Sequence, residues 1–530
     1  MFDILIKNGI IFDGTGKGSG VRTDIGIKGD TITAIRDLPG SGAHELIDAN
    51  GFYVAPGFVD IQNHSDSHGM ILNHTGLDSL VAQGVTTVVI GQCGASLAPL
   101  PDSSSIKSLQ KWGLIEGLNA DWQTYGEFVK RLSSSVFGAN VASFVGHATL
   151  RRHFTGDISR TLNQVEIRQL ANLLRDSLKE GAFGISFGFQ YGHEIKTAPE
   201  EVFALMAVTK EYNRIFSAHM RSQDADFVNA LQEVLEYGGS FNVKTKISHF
   251  KVEGKENLKF LSQGINMIES AYQKGTQVCF DVYPYTTTWR SLYTYLPNWA
   301  YEGGFKPMLE RIKNKEQSKR MLVQLSERRD KLGMLLVTTS PRVNNFIGKT
   351  VAEISRSQSR TPEEAILAIL SANRGQAIVF DHDVDPSEVT VLMKHPFSFI
   401  GSDGIGYPFK KIQMEELPHP RCFGAFPRFL RMLRQDNVPD NSLPLMSWAE
   451  GIAKISGRPA SFIGLKNRGL LRKEFKADVV VFDPALVSDA ATYANPFQPP
   501  IGLKYVINNG KISVYDGQIT GVHGGRLLTT

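Results

Sequence analysis

Hydrophobic and polar residues alternate near the start of this chain in short runs that end at turn residues. Asn8-Gly9, Asp13-Gly14 and Lys28-Gly29-Asp30 separate these runs. Alternation bounded by Gly, Asn and Asp is typical of β-strands joined by tight turns. The pattern predicts strands at residues 2–7, 10–12, 21–28 and 31–36.

The same pattern returns near the other end of the chain. Apolar runs at 477–483, 501–507 and 511–515 are separated by turns at Asn509-Gly510 and Asp516-Gly517. Two β segments that flank a long middle predict that the ends meet in one small β-sandwich. We therefore assign residues 1–55 and 461–530 to its two parts.

The middle of the chain alternates strands with helices. Apolar stretches predict eight strands, at 58–62, 85–90, 140–146, 182–187, 214–218, 243–248, 276–283 and 397–401. Residues 163–179 and 225–237 place apolar side chains at helical spacing, and Thr361-Pro362-Glu363-Glu364 is typical of a helix start. Eight alternating units predict an α/β fold, a parallel TIM-like (β/α)8 barrel over residues 56–460.

One interval interrupts this alternation. More than a hundred residues separate the seventh and eighth predicted strands, and they include apolar stretches at 334–338 and 377–380. We interpret about 285–345 as an insertion over the barrel mouth, because its many aromatic residues suit a lid or a partner surface. An ordinary packed subdomain explains this stretch equally well.

Composition narrows the class of protein. The 530 residues, 42% of them hydrophobic, allow a large core and more than one domain. Basic and acidic residues nearly cancel, 57 against 53, which disfavours nucleic-acid and membrane-surface partners. Three cysteines are too few for a disulfide framework and suit a reducing compartment. Without a signal peptide or an apolar run of about 18 residues, we expect a soluble cytoplasmic enzyme.

The carboxyl ends of the predicted strands carry most of the candidate chemistry, and parallel barrels place their active sites there. A single buried His or Cys usually belongs to a core. Here metal-capable or catalytic groups recur from strand to strand, at His64, Cys93, His147, His219, His249, Asp281 with Tyr283, and Asp403. Three nitrogen or sulfur ligands with one open position are typical of catalytic zinc, which thiolate and imidazole suit better than magnesium or calcium.

The first predicted barrel strand carries a recognisable signature. Residues 56–64 read Pro-Gly-Phe-Val-Asp-Ile-Gln-Asn-His, and alternation places Asp60, Gln62 and His64 on one face. The stretch resembles the first-strand signature of the amidohydrolase superfamily, Pro-Gly-Phe-Ile-Asp-x-His-x-His, whose two histidines bind metal. The second histidine is present as His64, whereas the first is replaced by Gln62.

A series of motifs makes this resemblance more specific. In chain order they are Val-Ile-Gly-Gln-Cys-Gly (89–94), Val-Gly-His-Ala-Thr-Leu-Arg (145–151), Gly-Ala-Phe-Gly-Ile-Ser-Phe-Gly (181–188), Ala-His-Met-Arg (218–221), Ile-Ser-His-Phe-Lys (247–251), Asp-Val-Tyr-Pro-Tyr (281–285), Ile-Gly-Ser-Asp-Gly (400–404) and His-Pro-Arg-Cys-Phe-Gly-Ala-Phe-Pro-Arg (419–428). They resemble the D-aminoacylase family, the N-acyl-D-amino-acid deacylases. The resemblance implies zinc-dependent hydrolysis of N-acyl-D-amino acids, and the preference for the D enantiomer comes from it alone.

The resemblance also implies roles for the strand-end residues. Cys93, His219 and His249 would hold the catalytic zinc, and Asp403 would take a proton from water and pass it to the leaving nitrogen. Zinc lowers the pKa of bound water from about 15.7 to about 7, and a neighbouring carboxylate then serves first as base and later as acid. For Asp403, a simple Ser-Asp-Gly turn is the alternative interpretation.

Candidate substrate contacts come from the same comparison. Arg421 resembles the arginine that pairs with the substrate α-carboxylate, a role that suits a guanidinium. Lys251 is expected to reach a carboxylate or the oxyanion, and Tyr191 and Tyr283 match tyrosines that line the pocket. Each has a plain surface or core alternative. Two further residues fit the family pattern in supporting roles, His147 and Arg151.

Gln62 changes the expected metal content. In the family, the first-strand histidine pair, the cysteine and the last-strand aspartate form a second metal site. An amide oxygen binds zinc poorly, so we predict one tightly bound Zn²⁺. His64 is then expected to be a weak second-site ligand or a contact to water.

Two alternative functions stay open at this point. Hydantoinase-like hydrolases of cyclic amides usually bridge two metals with a carboxylated lysine on the fourth strand, and residues 182–187 contain no lysine. A catalytically impaired scaffold is suggested by Gln62 but disfavoured by the remaining ligands. The expected partner is a small N-acylated amino acid, with a homo-oligomer possible and the acyl group unspecified.

Overall fold

A computed structural model describes residues 1–67, 69–113, 118–409, 416–434 and 445–530 of the chain. Apolar stretches of the middle region form eight parallel β-strands around a common core, the third of them in two segments. These barrel strands are, in order, Phe58–Asp60, Val85–Ile90, Asn140–Ser143 continued by Val145–Gly146, Gly184–Gly188, Ile215–His219, Lys244–Ile247, Val278–Val282 and Ser398–Ile400. Every predicted barrel strand is present within a few residues of its expected bounds.

The eight strands close into a ring. The first three pair in one parallel sheet, and the remaining strands pair in a second that starts at Val145–Gly146. Only Phe144 separates the two segments of the third strand. On the opposite side, Asn63 and Gly404 form a parallel bridge, and His64 N donates to Gly404 O at 2.8 Å. The predicted barrel is therefore confirmed.

Helices cover the barrel. Those outside the inserted unit are Met70–Asn73, Asp78–Val81, Tyr125–Leu132, His147–Thr155, Gln164–Lys179, Pro199–Glu211, Phe227–Ser240, Leu261–Gln273, Pro386–Lys394, Arg421–Met432, Trp448–Ile455 and Gly457–Ile463. Short 3₁₀ helices lie at Ser105–Lys111, Lys255–Phe260, Leu292–Tyr295 and Asn344–Phe346. The predicted helix 163–179 starts where Asn163 and Glu166 cap each other, which satisfies otherwise unpaired backbone N–H groups.

Strands from both ends of the chain form one mixed sheet of nine strands. They are Phe2–Ile11, Val21–Lys28, Thr31–Ile35, Ala43–Asp48, Tyr53–Pro56, Val479–Phe482, Leu503–Asn508, Lys511–Tyr515 and Gln518–Ile519. Tyr53–Pro56 pairs antiparallel with Val479–Phe482, with Ala55 opposite Val480. The expectation that both ends build one β unit is confirmed, whereas the exact domain boundaries stay predictions.

The turn predicted at Asn8-Gly9 is wrong. Phe2–Ile11 is one continuous strand whose pairing with Val21–Lys28 shifts register between Ile6 and Gly9. Asn8 has a φ of 64° and its backbone N–H donates to Asp24. Because Asn tolerates this left-handed conformation, the extra residue forms a β-bulge and the strand continues.

The insertion between the seventh and eighth barrel strands has its own antiparallel sheet. Its strands are Thr288–Ser291, Leu336–Thr339 and Ile378–Asp381, with helices at Asn298–Tyr301, Phe305–Lys313, Lys315–Ser326, Arg329–Met334, Val351–Ser357 and Pro362–Ala372. The first and third strands pair directly, so the unit extends beyond residue 345 to Asp381. Its apolar core includes Cys93 and Tyr191 of the barrel mouth. The inserted unit therefore packs on the barrel mouth.

Two further expectations concern the whole molecule. All three cysteines are buried and free, in keeping with the predicted absence of a disulfide framework. Within the described ranges, no helix has the length and apolar character needed to cross a bilayer. The cytoplasmic location and the oligomeric state stay predictions.

Candidate active site

Cys93, His219 and His249 converge at the carboxyl end of the barrel. Their ligand atoms all lie within 4.8 Å of one another, and all three side chains are buried. Cys93 Sγ is 3.6 Å from His249 Nε2, which is 2.8 Å from His219 Nδ1. One sulfur and two nitrogen atoms at these separations fit the donor set of a catalytic zinc ion.

The backbone at three site residues is unusual. Cys93, His249 and Asp403 have φ values of 53°, 36° and 48°, in a region that non-glycine residues rarely occupy. Each lies two or three residues beyond the end of a barrel strand, where a left-handed residue interrupts the regular alternation of side chains. Backbone strain of this kind is concentrated at functional sites and is held by the surrounding fold.

The two imidazoles are in the state that a metal requires. Burial lowers the pKa of His219 and of His249 well below the ordinary value, so both rings are neutral. His219 Nε2 donates to Gln190 Oε1 at 2.9 Å, which leaves Nδ1 free to act as a ligand. The two imidazoles therefore fit zinc in protonation state as well as in geometry.

Asp403 lies beside this cluster with both carboxylate oxygens engaged. Oδ1 is 3.1 Å from His64 Nε2, and Oδ2 accepts from Arg421 Nη2 at 2.7 Å. Burial raises the pKa of Asp403, but Arg421 and His64 outweigh that effect and hold it well below the ordinary value. Burial lowers the pKa of His64, yet Asp403 and Cys93 raise it to about 10. The pair is thus a carboxylate with an imidazolium.

Arg421 starts the helix Arg421–Met432 and is 2% exposed. Its guanidinium lies 4.6 Å from the ring centre of Tyr283 and 5.8 Å from that of Trp289, which belongs to the inserted unit. Among the described residues, Arg421 Nε has no hydrogen-bond partner. A buried N–H without a partner is costly, so this edge of the guanidinium is prepared for an acceptor.

The other predicted substrate residues also surround the cluster. Lys251 Nζ is 3.4 Å from His249 Nδ1 and donates to Gln223 Oε1 at 2.8 Å. Tyr191 OH lies 3.3 Å from His219 Nδ1, and Lys111 Nζ covers the Tyr191 ring at 3.7 Å.

Gln62 occupies the position between the ligands and Asp403. Its Nε2 donates toward Cys93 Sγ and Asp403 Oδ1, both at 3.4 Å, and lies 3.4 Å from His64 Nε2. Its Oε1 accepts from Lys246 Nζ at 2.6 Å. The Gln62 side chain therefore directs N–H groups, which cannot bind a metal, toward His64, Cys93 and Asp403, the other candidate ligands of a second metal ion.

His147 is a strand-end histidine that lies in a separate network, away from the metal cluster. Its Nδ1 lies 2.8 Å from Glu194 and its Nε2 2.7 Å from Glu201, which also binds Arg151 at 3.0 Å. Glu194 in turn accepts from Gly188 N at the end of a barrel strand. His147 and Arg151 thus belong to a buried ionic network behind the site.

Sequence reasoning missed several residues of the site. The most important is Lys246, which is fully buried on the strand Lys244–Ile247. A lysine inside an otherwise buried strand was the available signal, since Lys is seldom buried without a specific partner. Gln190, Gln223 and Lys111 lie outside the strands and gave no comparable signal.

Comparisons with known proteins agree with this geometry. A family model described as "Amidohydrolase family" matches residues 146–514. A D-aminoacylase from Alcaligenes xylosoxydans xylosoxydans is 31% identical over 99% of this chain and 97% of that protein. An N-acyl-D-glutamate deacylase from the same organism is 30% identical over 96% of this chain and 93% of that protein.

Solved structures give the same result. A D-aminoacylase structure, determined to define one-metal activation and second-metal attenuation at a binuclear centre, superposes with a TM-score of 0.83 at 29% identity and full coverage of both chains. An N-acyl-D-glutamate deacylase from Bordetella bronchiseptica, complexed with zinc and a phosphonate inhibitor, reaches 0.83 at 28% identity, also over both full chains. A D-hydantoinase from Thermus superposes with a TM-score of only 0.56 at 15% identity, over 99% of this chain and 98% of that one. This similarity concerns the fold alone.

Proposed function

This chain belongs to the D-aminoacylase family of amidohydrolases, and from that premise we propose that it hydrolyses N-acyl-D-amino acids to a carboxylate and a free D-amino acid. The observation that carries the proposal is the cluster of Cys93, His219 and His249 beside an ionised Asp403. We propose that these three residues hold a single catalytic zinc ion.

The chemistry divides between the metal and the protein. A zinc ion bound by the three ligands would supply a Lewis acid for the amide carbonyl and acidify the attacking water. Asp403 takes a proton from that water and transfers it to the amide nitrogen, so that a neutral amine leaves when the C–N bond breaks. An amide needs this second transfer because unprotonated nitrogen is a poor leaving group.

Arg421 orients the substrate in this proposal. Its unpartnered Nε, together with Nη2, offers the paired N–H donors that a carboxylate binds. Tyr283 stacks against the guanidinium and limits its movement. Lys251 and Tyr191 contact His249 and His219, which supports a role for both in binding the acyl carbonyl or the substrate side chain.

The test uses purified, zinc-loaded protein and a panel of N-acetyl-D- and N-acetyl-L-amino acids, followed by amine release. We expect the D series to be hydrolysed at least tenfold faster than the L series. Equal rates on both series, or faster ring opening of hydantoins, would contradict the proposal. A zinc-loaded protein that hydrolyses none of these compounds would favour the impaired scaffold.

A further inference from the structure

Lys246 donates a hydrogen bond to Gln62 Oε1, and the hydrogen bonds of its own ammonium group are complete. An ammonium group has three N–H donors. Those of Lys246 lie against Gln62 Oε1 at 2.6 Å, Asp281 Oδ2 at 2.6 Å and Ser248 Oγ at 3.3 Å. The side chain has no solvent-exposed surface. Lys246 is therefore fixed in place and cannot turn away from Gln62 without losing a buried partner.

This contact determines which way the Gln62 amide faces. An ammonium group only donates, so the amide atom that meets it must be the oxygen. The NH₂ group is consequently directed toward Cys93, His64 and Asp403. Rotating the amide to present its oxygen to those residues would place NH₂ against the Lys246 ammonium, with two donors facing each other.

The donor set around Gln62 does not fit a second metal ion. His64 Nε2, Asp403 Oδ1 and Cys93 Sγ lie close enough to share one, since His64 is 3.1 Å from Asp403 and 3.9 Å from Cys93. At the fourth position, however, they meet the N–H donor of Gln62, whose orientation Lys246 fixes. A metal ion needs a lone pair from each ligand, and an N–H group offers none.

We infer that Lys246, acting through Gln62, takes the place of a second metal ion in this active site. The Gln62 amide donates to Asp403 and to Cys93, as the ammonium behind it fixes its orientation. Asp281 continues the same network, because its Oδ1 accepts from the backbone N–H of the ligand His249 at 2.9 Å. Lys246 is thus a positioning residue, and the inference rests on the proposed single zinc at Cys93, His219 and His249.

The central experiment is a zinc titration read by metal content and calorimetry, without reference to activity. Wild-type protein should bind one zinc ion per chain even at a large excess of zinc. Gln62→His alone should still bind one, since the new imidazole would accept from Lys246. Gln62→His combined with Lys246→Gln should bind a second zinc ion at least tenfold more tightly than Gln62→His alone.

Two controls make the comparison specific. Lys244→Gln combined with Gln62→His removes a charge from the start of the same strand and should still bind one zinc ion. Glutamine at position 246 can still donate to Asp281, and melting curves of the metal-free proteins will show whether each variant is folded. If the double variant is unfolded, the titrations of the wild type and of Gln62→His decide the question.

Several outcomes would overturn the inference. Two tightly bound zinc ions in the wild type would show that Gln62 and Lys246 do not exclude the second metal. A Gln62→His protein that binds two ions as tightly as the double variant would show that Lys246 has no part in it. The proposed function fails differently, through loss of the first zinc ion or of D-amino acid release.

The inference has one kinetic consequence. A related D-aminoacylase is described as activated by one metal and attenuated by a second. Activity of the wild-type protein should therefore be unchanged by excess zinc, whereas the Gln62→His/Lys246→Gln variant should lose activity as its second site fills. Attenuation of the wild type at the same zinc concentrations would contradict this.

Discussion

Asp403 and Arg421 form a buried ion pair in which the predicted general base and the predicted carboxylate receptor bind each other, with Oδ2 2.7 Å from Nη2. The pair joins the end of the last barrel strand to the first turn of the helix Arg421–Met432. The guanidinium keeps the pKa of Asp403 low, and in the proposed function its remaining N–H groups bind the substrate carboxylate.

Arg421→Ala separates these roles. We expect KM for substrates with a free α-carboxylate to rise about 10- to 100-fold, because charge-assisted hydrogen bonds are worth about 1.5–3 kcal/mol, and KM for the corresponding amides to change much less. Loss of the guanidinium also raises the pKa of Asp403, so the acid limb of the activity profile should move to higher pH. Arg431→Ala, lower on the same helix, should leave KM unchanged. Equal damage to both substrate classes would count against carboxylate binding.

Asp403→Asn should abolish proton transfer without removing the metal. Asn tolerates the left-handed backbone at this position, so the fold should be retained. We expect a fall in kcat of at least about 100-fold, as general acid–base groups typically contribute 10²–10⁴-fold. Metal analysis alongside kinetics is the check, and loss of zinc would make Asp403 a ligand of the catalytic ion.

Cys93→Ala should remove zinc and activity together. Only His219 and His249 would remain as ligands, whereas catalytic zinc sites keep three. Cys279→Ala is the matched control, since Cys279 is also a free, buried cysteine but lies on a barrel strand outside the metal cluster. Normal zinc content in the Cys93 variant would place that cysteine in the core.

His147→Gln should destabilise the protein without direct loss of zinc. The substitution removes the imidazole ring that pairs with both Glu194 and Glu201 in a buried ionic network. We expect this to lower the free energy of unfolding by about 3–5 kcal/mol. His153→Gln breaks a partly exposed pair with Asp102, which is worth at most about 1 kcal/mol. Melting temperatures of the two variants provide the comparison, and similar values would mean that the His147 network adds little.

Glu388→Gln should change the pH dependence of stability. Burial raises the pKa of Glu388 from 4.5 to about 7, so the folded protein keeps a proton that the unfolded chain releases. The contribution of Glu388 to the free energy of unfolding of the wild type therefore falls as the pH rises from about 4.5 to 7. Glutamine carries no charge, so the variant does not lose this contribution. We expect its free energy of unfolding to rise by about 2–3 kcal/mol relative to that of the wild type as the pH increases from 5 to 8.

Thermal unfolding of both proteins at pH 5 and at pH 8 measures this difference. The exposed Glu236→Gln variant is the control and should follow the wild type at both pH values. A Glu388→Gln protein that tracks the wild type across the same range would show that the buried carboxyl is stabilised by groups other than those described.

The barrel was predictable because each of its strands is an apolar run bounded by turn residues, and the strand ends then indicate where chemistry lies. Cys93, His219 and His249 were identified in that way, with the family resemblance. The sequence pattern says which face of a strand is buried but not which buried polar groups meet across the barrel. The contact between Lys246 and Gln62 joins residues 184 positions apart and was therefore missed.

Longer-range pairing explains the other differences. Thr288–Ser291 pairs with Ile378–Asp381 across the inserted helices, and nothing local to either strand indicates its partner. The bulge at Asn8 has the residues of a turn, and only its pairing with Val21–Lys28 shows that the strand continues. Local patterns thus indicated the elements, and contacts distant in sequence decided their extent.

The mixed sheet also constrains when the protein can fold during synthesis. Ala55 pairs with Val480, which the ribosome adds 425 residues later. At about 5–20 residues per second, roughly 20 to 90 s pass between the two. During that time Tyr53–Pro56 has an unpaired edge that can bind another nascent chain. Slow translation, or synthesis from crowded ribosomes, should therefore increase aggregation of this protein more than slow refolding of the intact chain does.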